Sequence, residues 1–158
     1  MKKSTIAIIA TLAVLGTAVV VLLALSREGI AARQQLREDA VFLVVYNDVE
    51  RRVTVEDIQA LEPEDFDANY NRSGRPAEIR TFYGVPFLRV LEHLELDLTP
   101  LERAVFAASD GYVSALPIAD IFAAYIALCD DLGPFRMVLP DDPFSQRWVH
   151  WLTDVTLS

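Results

Sequence analysis

Cysteine and histidine are scarce in this 158-residue chain, and both shortages restrict its chemistry. The single cysteine, Cys129, has no partner for a disulfide within the chain, so the apolar core must hold the fold together. The two histidines, His93 and His150, lack the spacing of a metal-ligand motif. No G-x-S-x-G motif surrounds Ser109, so hydrolase chemistry has no support in the sequence.

Lysine is confined to Lys2 and Lys3, and every other basic residue is an arginine. Beyond Lys3, 12 arginines stand against 23 acidic residues, so that part of the chain carries a formal charge of −11. Nucleic-acid binding depends on neutralising phosphates with basic side chains. The acidic balance therefore excludes nucleic acid as a partner.

One long apolar run, Ile6–Leu25, stands apart from a remainder of ordinary hydrophobicity. As a helix it would span about 30 Å, the thickness of a bilayer's hydrocarbon core. Lys2 and Lys3 supply the positive charge that stays in the cytoplasm. We predict that residues 1–26 form a cytoplasmic N-terminus and a transmembrane signal anchor, single-pass in a bacterial inner membrane, with the C-terminal domain in the periplasm. A cleaved signal peptide, whose apolar region is ordinarily about 7–15 residues long, is the alternative.

The remainder divides into a polar segment and one domain. Residues 27–39 are predicted to form a juxtamembrane helix or stalk, and residues 40–158 an α+β, β-dominated domain with a mixed sheet. Thr54, followed three residues later by Asp57, has the pattern of a capping box at the start of a helix. Glu62–Pro76 is rich in Pro, Asp, Asn, Ser and Gly and is predicted to be a long surface loop.

The predicted strands follow β-branched and aromatic runs that turn residues interrupt, such as Asn47-Asp48 and Asp110-Gly111. They are Val41–Tyr46, Arg52–Val55, Glu78–Tyr83, Ala104–Ala108, Tyr112–Leu116, Ala123–Cys129, Phe135–Leu139 and Arg147–Leu152. The predicted helices are Val55–Leu61, Phe87–Leu96 and a turn at Pro117–Ile121.

Several short motifs stand in a fixed order along the domain. They are Phe82-Tyr83-Gly84-Val85-Pro86-Phe87 followed by Leu91, then Ser109-Asp110-Gly111-Tyr112, Leu116-Pro117-Ile118-Ala119-Asp120-Ile121, Gly133-Pro134-Phe135-Arg136-Met137-Val138-Leu139-Pro140 and Trp148-Val149-His150-Trp151-Leu152. Their order and spacing resemble the molybdopterin-binding oxidoreductase domain of the sulfite oxidase superfamily, especially its short exported members. The resemblance covers residues 40–158 and implies a sulfite-oxidase-like fold.

The chain departs from that family at the metal ligand. The resemblance implies a cysteine thiolate roughly a dozen residues before the position of Gly84, since a soft metal prefers sulfur. Residues 70–74 occupy that zone and contain no cysteine. Cys129 lies between later motifs and is predicted to be a small buried hydrophobe. No metal ligand or catalytic residue is therefore assigned.

Arginines are the remaining candidates for a binding site. Arg72, Arg75 and Arg80 form one basic cluster in an acidic domain, and Arg136 follows a Gly-Pro pair on a predicted strand. Arginine forks bind phosphates and carboxylates, so these four residues are the candidate contacts for an anion or a pterin. The alternative is that the cluster is solvated and offsets nearby acidic residues, while Arg136 pairs with Asp141-Asp142.

These observations lead to one expected function and one alternative. The expected function is a membrane-anchored periplasmic protein whose domain is a non-catalytic accessory or a module that binds a ligand or partner, such as a membrane or periplasmic protein. The alternative is a molybdopterin-dependent oxidoreductase that lacks a protein cysteine ligand. Molybdopterin is the cofactor that the resemblance makes possible.

Overall fold

The computed structural model describes residues 15, 17–19, 29–71, 74–99, 101–129, 133–143 and 145–158. The chain divides into two compact units, Met1–Ala32 and Arg33–Ser158. The described residues of the first unit are helical at 15, 17–19 and 29–32. No helix among the described residues is long and apolar enough to cross a membrane. The predicted anchor, Ile6–Leu25, lies almost entirely outside the described residues and stays a prediction.

Among its described residues, the second unit contains ten strands, four α-helical segments and one 3₁₀ turn, with residues 33–38 helical (α1) at its start. In chain order the elements that follow are β1 (Val41–Tyr46), β2 (Val49–Thr54), α2 (Val55–Ala60), β3 (Glu64–Tyr70), β4 (Glu78–Pro86), α3 (Phe87–His93), β5 (Arg103–Ala108), β6 (Val113–Pro117), α4 (Ile118–Ile121), β7 (Tyr125–Leu128), β8 (Phe135–Val138), a 3₁₀ turn (Ser145–Arg147), β9 (Val149–His150) and β10 (Leu152–Leu157).

These strands form two five-stranded sheets. The first sheet has the order β2-β1-β10-β5-β6 and the second β3-β4-β7-β8-β9. The first sheet is mixed, because β1 and β10 pair in parallel while its other neighbours are antiparallel. The pairs of the second sheet are antiparallel. The predicted α+β, β-dominated class is confirmed.

Buried aromatic rings join the two sheets. Phe42 of β1 meets Phe135 of β8 edge to face, with 4.9 Å between ring centroids. Phe87, the first residue of α3, meets Phe106 of β5 at 5.2 Å. All four rings are buried within one apolar cluster, so contacts between elements remote in sequence hold the domain together.

Local signals in the sequence are confirmed where short-range bonds determine the structure. Asn47 and Asp48 have φ of 51° and 60°, as a two-residue hairpin between β1 and β2 requires. The capping box of α2 is present: the Thr54 hydroxyl accepts a hydrogen bond from the Asp57 amide at 3.2 Å, and the Thr54 amide donates to the Asp57 carboxylate at 2.8 Å. The partner strand of β1 begins at Val49, three residues earlier than predicted.

The prediction of a surface loop over Glu62–Pro76 is wrong for its central part, which is β3. Phe66, Ala68 and Tyr70 alternate with exposed polar residues, the period of a half-buried strand. β3 is an edge strand paired along its whole length with β4. An edge strand with one solvated face tolerates Asp and Asn. These polar residues made the alternation of apolar and polar side chains in β3 hard to recognise from the sequence.

Among the other boundaries that differ from the predicted ones, two are informative. α3 ends at His93 rather than Leu96, and Glu95 beyond it has φ of 53°, a left-handed residue that terminates the helix. The predicted strand Arg147–Leu152 is divided between sheets, because β9 belongs to the second and β10 to the first. Trp151 makes the crossing with φ of 54°.

Gly84 is required by close packing rather than by its backbone angle. It lies in β4 opposite Ala127 of β7, and its φ is not in the left-handed region. A Cβ at this position would run into the backbone of Ile126 and come within 2.7 Å of the Ala127 Cα. Backbone atoms cannot move aside as a flexible side chain does, so the site excludes any larger residue.

We expect Gly84→Ala to lower the free energy of unfolding by about 1–3 kcal/mol, because β4 and β7 must separate to admit the methyl group. Urea denaturation followed by circular dichroism measures the change. Gly29→Ala is the matched control, since nothing lies within 4 Å of its added Cβ and the residue is helical. Equal stabilities for both variants would contradict the packing argument.

Candidate functional site

The cluster predicted around Arg75 and Arg80 forms a small surface cavity of about 200 Å³. Tyr70, Arg75, Pro76, Ala77, Glu78 and Arg80 line it. The cavity lies where the end of β3 and the start of β4 meet, so strand pairing brings its walls together. Arg72, the third predicted member, lies outside the described residues, and its part in this site stays a prediction.

Arg80 is already engaged within this cavity. Its Nε donates to the Glu78 carboxylate at 2.6 Å, and its guanidinium carbon lies 3.9 Å from the centroid of the Tyr70 ring. Arg80 stands on β4 and not on a loop. Arg75 is exposed, and no ion pair to it is seen among the described residues, so it is the residue most available to an anion.

Arg136, the fourth predicted contact, lies elsewhere. It stands on β8, and its guanidinium carbon is 5.7 Å from the centroid of Phe82. It does not line the cavity of Arg75 and Arg80. The carboxylate of Asp142, one of its two predicted partners, binds Arg147 instead.

Aromatic rings connect these arginines across the second sheet. Tyr70 and Trp148 lie 5.7 Å apart between centroids, and Trp148 meets Phe82 edge to face at 5.5 Å. Arg80 rests on the Tyr70 ring and Arg136 over the Phe82 ring. Cation–π contact is worth about 0.5–1 kcal/mol at exposed sites, so this layer orients both guanidinium groups.

Arg147 holds two carboxylates and fastens the segment after β8. Its Nε lies 3.0 Å from an oxygen of Asp142, whose side chain is 6% exposed, and its Nη1 binds Asp120 of α4. These hydrogen bonds, first that of Asp142 and then that of Asp120, hold the pKa of Arg147 above its ordinary value. Because Gln146 and Trp148 flank Arg147 in the chain, the ion pairs also position them.

A second cavity, the aromatic cavity, has a volume of about 330 Å³. Asp110, Tyr112, Gln146, Trp148, His150 and Trp151 line it. Asp110 is the one formally charged residue among these six. The cavity thus combines aromatic walls with a single carboxylate.

Hydrogen bonds fix the walls of the aromatic cavity. The Tyr112 hydroxyl donates to the Gln146 carbonyl, and the Trp148 indole N–H donates to the Leu139 carbonyl at 3.1 Å. The Asp110 carboxylate accepts from the Tyr112 amide at 2.9 Å, which closes the turn between β5 and β6. The rings are therefore held in place before any ligand arrives.

The turn meets the sheet crossing at Trp151. The Ser109 amide donates to the Trp151 carbonyl at 3.0 Å. Arg37 of α1 lies with its guanidinium carbon 5.7 Å from the Trp151 ring centroid. A Cβ at Gly133 would come within 2.6 Å of the Trp151 ring, so glycine lets this layer close.

The sequence places the parts of the aromatic cavity in separate segments and does not show that they lie together. Asp110 and Tyr112 belong to a predicted hairpin, and His150 to the predicted strand Arg147–Leu152. His150 does lie on β9. The available signal was the density of Trp and His in residues 148–151 beside a predicted sheet end, but their proximity to Asp110 depends on β5 and β10 pairing across 46 residues.

Cys129 and His93 take no part in either cavity. Cys129 follows β7 and is half-buried, not fully buried as predicted, and it lines a separate cavity with Tyr83 and Pro134. His93 is exposed at the end of α3, as its polar neighbours indicated. Within the described ranges, no group of three or more His, Cys, Asp or Glu residues is placed to hold a metal ion.

Comparison with known proteins shows a similarity in fold. No family model matches the chain, and no curated protein matches its sequence. Among solved structures, it is similar to the sulfane dehydrogenase SoxCD from Paracoccus pantotrophus, with a TM-score of 0.62 and 14% identity. The two proteins share a fold. The match covers 77% of this chain and 38% of that chain, so this protein spans well under half the length of its structural relative.

We expect Arg147→Met to lower the free energy of unfolding by about 1–3 kcal/mol, because it leaves the buried Asp142 carboxylate without its partner. Urea denaturation at neutral pH measures the loss. Arg33→Met is the control: Arg33 contacts Asp154 at 3.3 Å, and the Asp154 side chain is 24% exposed against 6% for Asp142. Ion pairs open to solvent contribute about 0–1 kcal/mol. A loss no larger than the control's would contradict this role for Arg147.

Proposed function

We propose that this chain is a membrane-anchored periplasmic protein whose sulfite-oxidase-like domain binds a ligand or partner without metal chemistry. Two observations support the proposal. The domain shares its fold with a protein named as a sulfane dehydrogenase, and it carries two preformed cavities with charged and aromatic walls. The apolar run Ile6–Leu25 after Lys2 and Lys3 supports the anchor and the orientation.

The observation that carries the non-catalytic assignment is the donor set. Residues 70–74, where the family resemblance implies a thiolate, contain no cysteine. Cys129 follows β7 and lines a cavity that shares no lining residue with that of Arg75 and Arg80. Oxygen and nitrogen donors are poor substitutes for thiolate at a soft metal, so the residues present do not fit the metal of molybdopterin.

The alternative function is a molybdopterin-dependent oxidoreductase without a protein cysteine ligand. The shared fold with the dehydrogenase favours it, as do Arg80 and Arg136, which rest on rings of one aromatic layer. Arginines of that kind bind anionic groups bidentately. The alternative therefore needs the anionic part of the cofactor to be held by arginines alone.

Cofactor content distinguishes the two functions. We expect the full chain, expressed with its N-terminal segment in a host that makes molybdopterin, to purify folded with well under 0.1 equivalents (about a background level) of molybdenum and pterin, because no thiolate ligates the metal. Metal analysis and pterin fluorescence measure both. A cysteine-containing molybdopterin enzyme from the same host is the positive control, and stoichiometric cofactor in this chain would establish the alternative.

For the cavity of Arg75 and Arg80, we propose an anionic ligand, with Arg72 as a further contact; Arg136 lies outside this cavity and is a separate candidate contact. Arg72→Glu, Arg75→Glu and Arg80→Glu combined should reduce the binding of inorganic phosphate by about tenfold or more, because like charges then repel the anion. Isothermal titration at low salt measures the change. Arg51→Glu, Arg52→Glu and Arg103→Glu combined, at three exposed positions on β2 and β5, are the charge-matched control, and an equal loss in both proteins would refute the assignment.

A further inference from the structure

The aromatic cavity differs in charge from the cavity of Arg75 and Arg80, so we expect it to bind a different class of ligand. We propose that it binds a small quaternary ammonium solute, a cation of the size of choline. The inference deepens the proposed function, on which it rests, by naming a ligand class for a domain without metal chemistry.

The charge around the aromatic cavity favours a cation. Asp110 is exposed at the rim, and no arginine or lysine is among the described residues that line the cavity. Arg147 lies between two lining residues in the chain, but it is bound to Asp142 and Asp120. The surrounding chain beyond Lys3 carries a formal charge of −11, which raises the local concentration of cations.

The aromatic side chains that line the cavity also favour a cation. Tyr112 is 42% exposed at the cavity, and Trp151 and His150 are half-buried beside it. Aromatic faces attract cations through their quadrupole, most strongly in tryptophan. The Trp151 ring already attracts one cation within this fold, since the Arg37 guanidinium carbon lies 5.7 Å from its centroid.

The lining of the cavity favours a quaternary ammonium ion over cations that carry N–H donors. A primary ammonium or guanidinium ion carries several N–H donors that need acceptors when water is removed. The described lining offers one carboxylate, Asp110, and one of its oxygens already accepts from the Tyr112 amide. A quaternary ammonium has no N–H to satisfy, so methyl groups against rings and one nearby carboxylate meet its needs.

The size and the rigidity of the cavity suit a small solute. A volume of about 330 Å³ accommodates a small solute and is too small for a folded partner. The Tyr112 and Trp148 rings are held by hydrogen bonds to the carbonyls of Gln146 and Leu139. Their polar atoms are thereby occupied, and the rings need no rearrangement to receive the ligand.

The chain contains its own reporter for this site. Its two tryptophans, Trp148 and Trp151, both line the cavity, so intrinsic tryptophan emission reports on occupancy without a label. The full chain in a non-ionic detergent is titrated with choline chloride, against sodium chloride for ionic strength. 3,3-Dimethylbutanol, which has the shape of choline without its charge, is the matched ligand. We expect a saturable change with choline, and at least about tenfold weaker binding of the neutral analogue.

Variants locate the binding at named residues. Asp110→Asn keeps an oxygen for the Tyr112 amide and removes the charge, and it should weaken choline about fivefold or more. Asp48→Asn is the control, since Asp48 is also exposed in a two-residue hairpin turn. Tyr112→Leu should weaken choline, whereas Tyr112→Phe, which keeps the ring, should bind within about twofold of the parent.

Three results would overturn the inference: no saturable response to choline in the folded chain, equal binding of choline and its neutral analogue, or unchanged binding in Asp110→Asn. Such a failure is distinguishable from failure of the proposed function. If choline does not bind while molybdenum and pterin are absent and phosphate binds at Arg75 and Arg80, only the ammonium site is wrong. If stoichiometric molybdopterin is found, the proposed function itself is wrong.

Discussion

The C-terminal part of this chain belongs to both sheets, and the rest of the domain depends on that crossing. β9 pairs in the second sheet and β10 lies between β1 and β5 of the first, so Trp151 alone connects them. Its φ of 54° is a conformation that a bulky residue adopts only where its surroundings hold it. The Ser109 amide bonded to its carbonyl and the packing of Gly133 and Arg37 against its ring provide those surroundings.

The same crossing explains why the domain has cavities of opposite character. At the end of β3 and the start of β4, Arg80 rests on the Tyr70 ring and Arg75 is exposed to an anion. Where the chain leaves that sheet, the rings surround Asp110. Arg147 pairs with two carboxylates, so its positive charge is neutralised. The surface beside it therefore keeps the negative charge of the acidic domain.

The fold and the donor chemistry lead to different expectations about function, and the proposed function follows the donor chemistry. A shared fold with a dehydrogenase says how the strands are arranged, since one fold hosts many activities. Activity depends on the side chains at the site. Here the zone of residues 70–74 lacks a thiol, and Cys129 stands on another strand end. We therefore propose recognition of a ligand rather than redox chemistry.

The sequence by itself determined the features that depend on a few neighbouring residues. The Asn47-Asp48 turn, the Thr54 and Asp57 capping box and most strand positions follow from local bonds and from side-chain periodicity. Only the tertiary structure decided that β3 is a strand, because a polar edge strand is stabilised by its partner β4. It also decided the Trp151 crossing and the proximity of Asp110 to Trp148, His150 and Trp151 in and beside β9, since pairing between strands far apart in sequence brings them together.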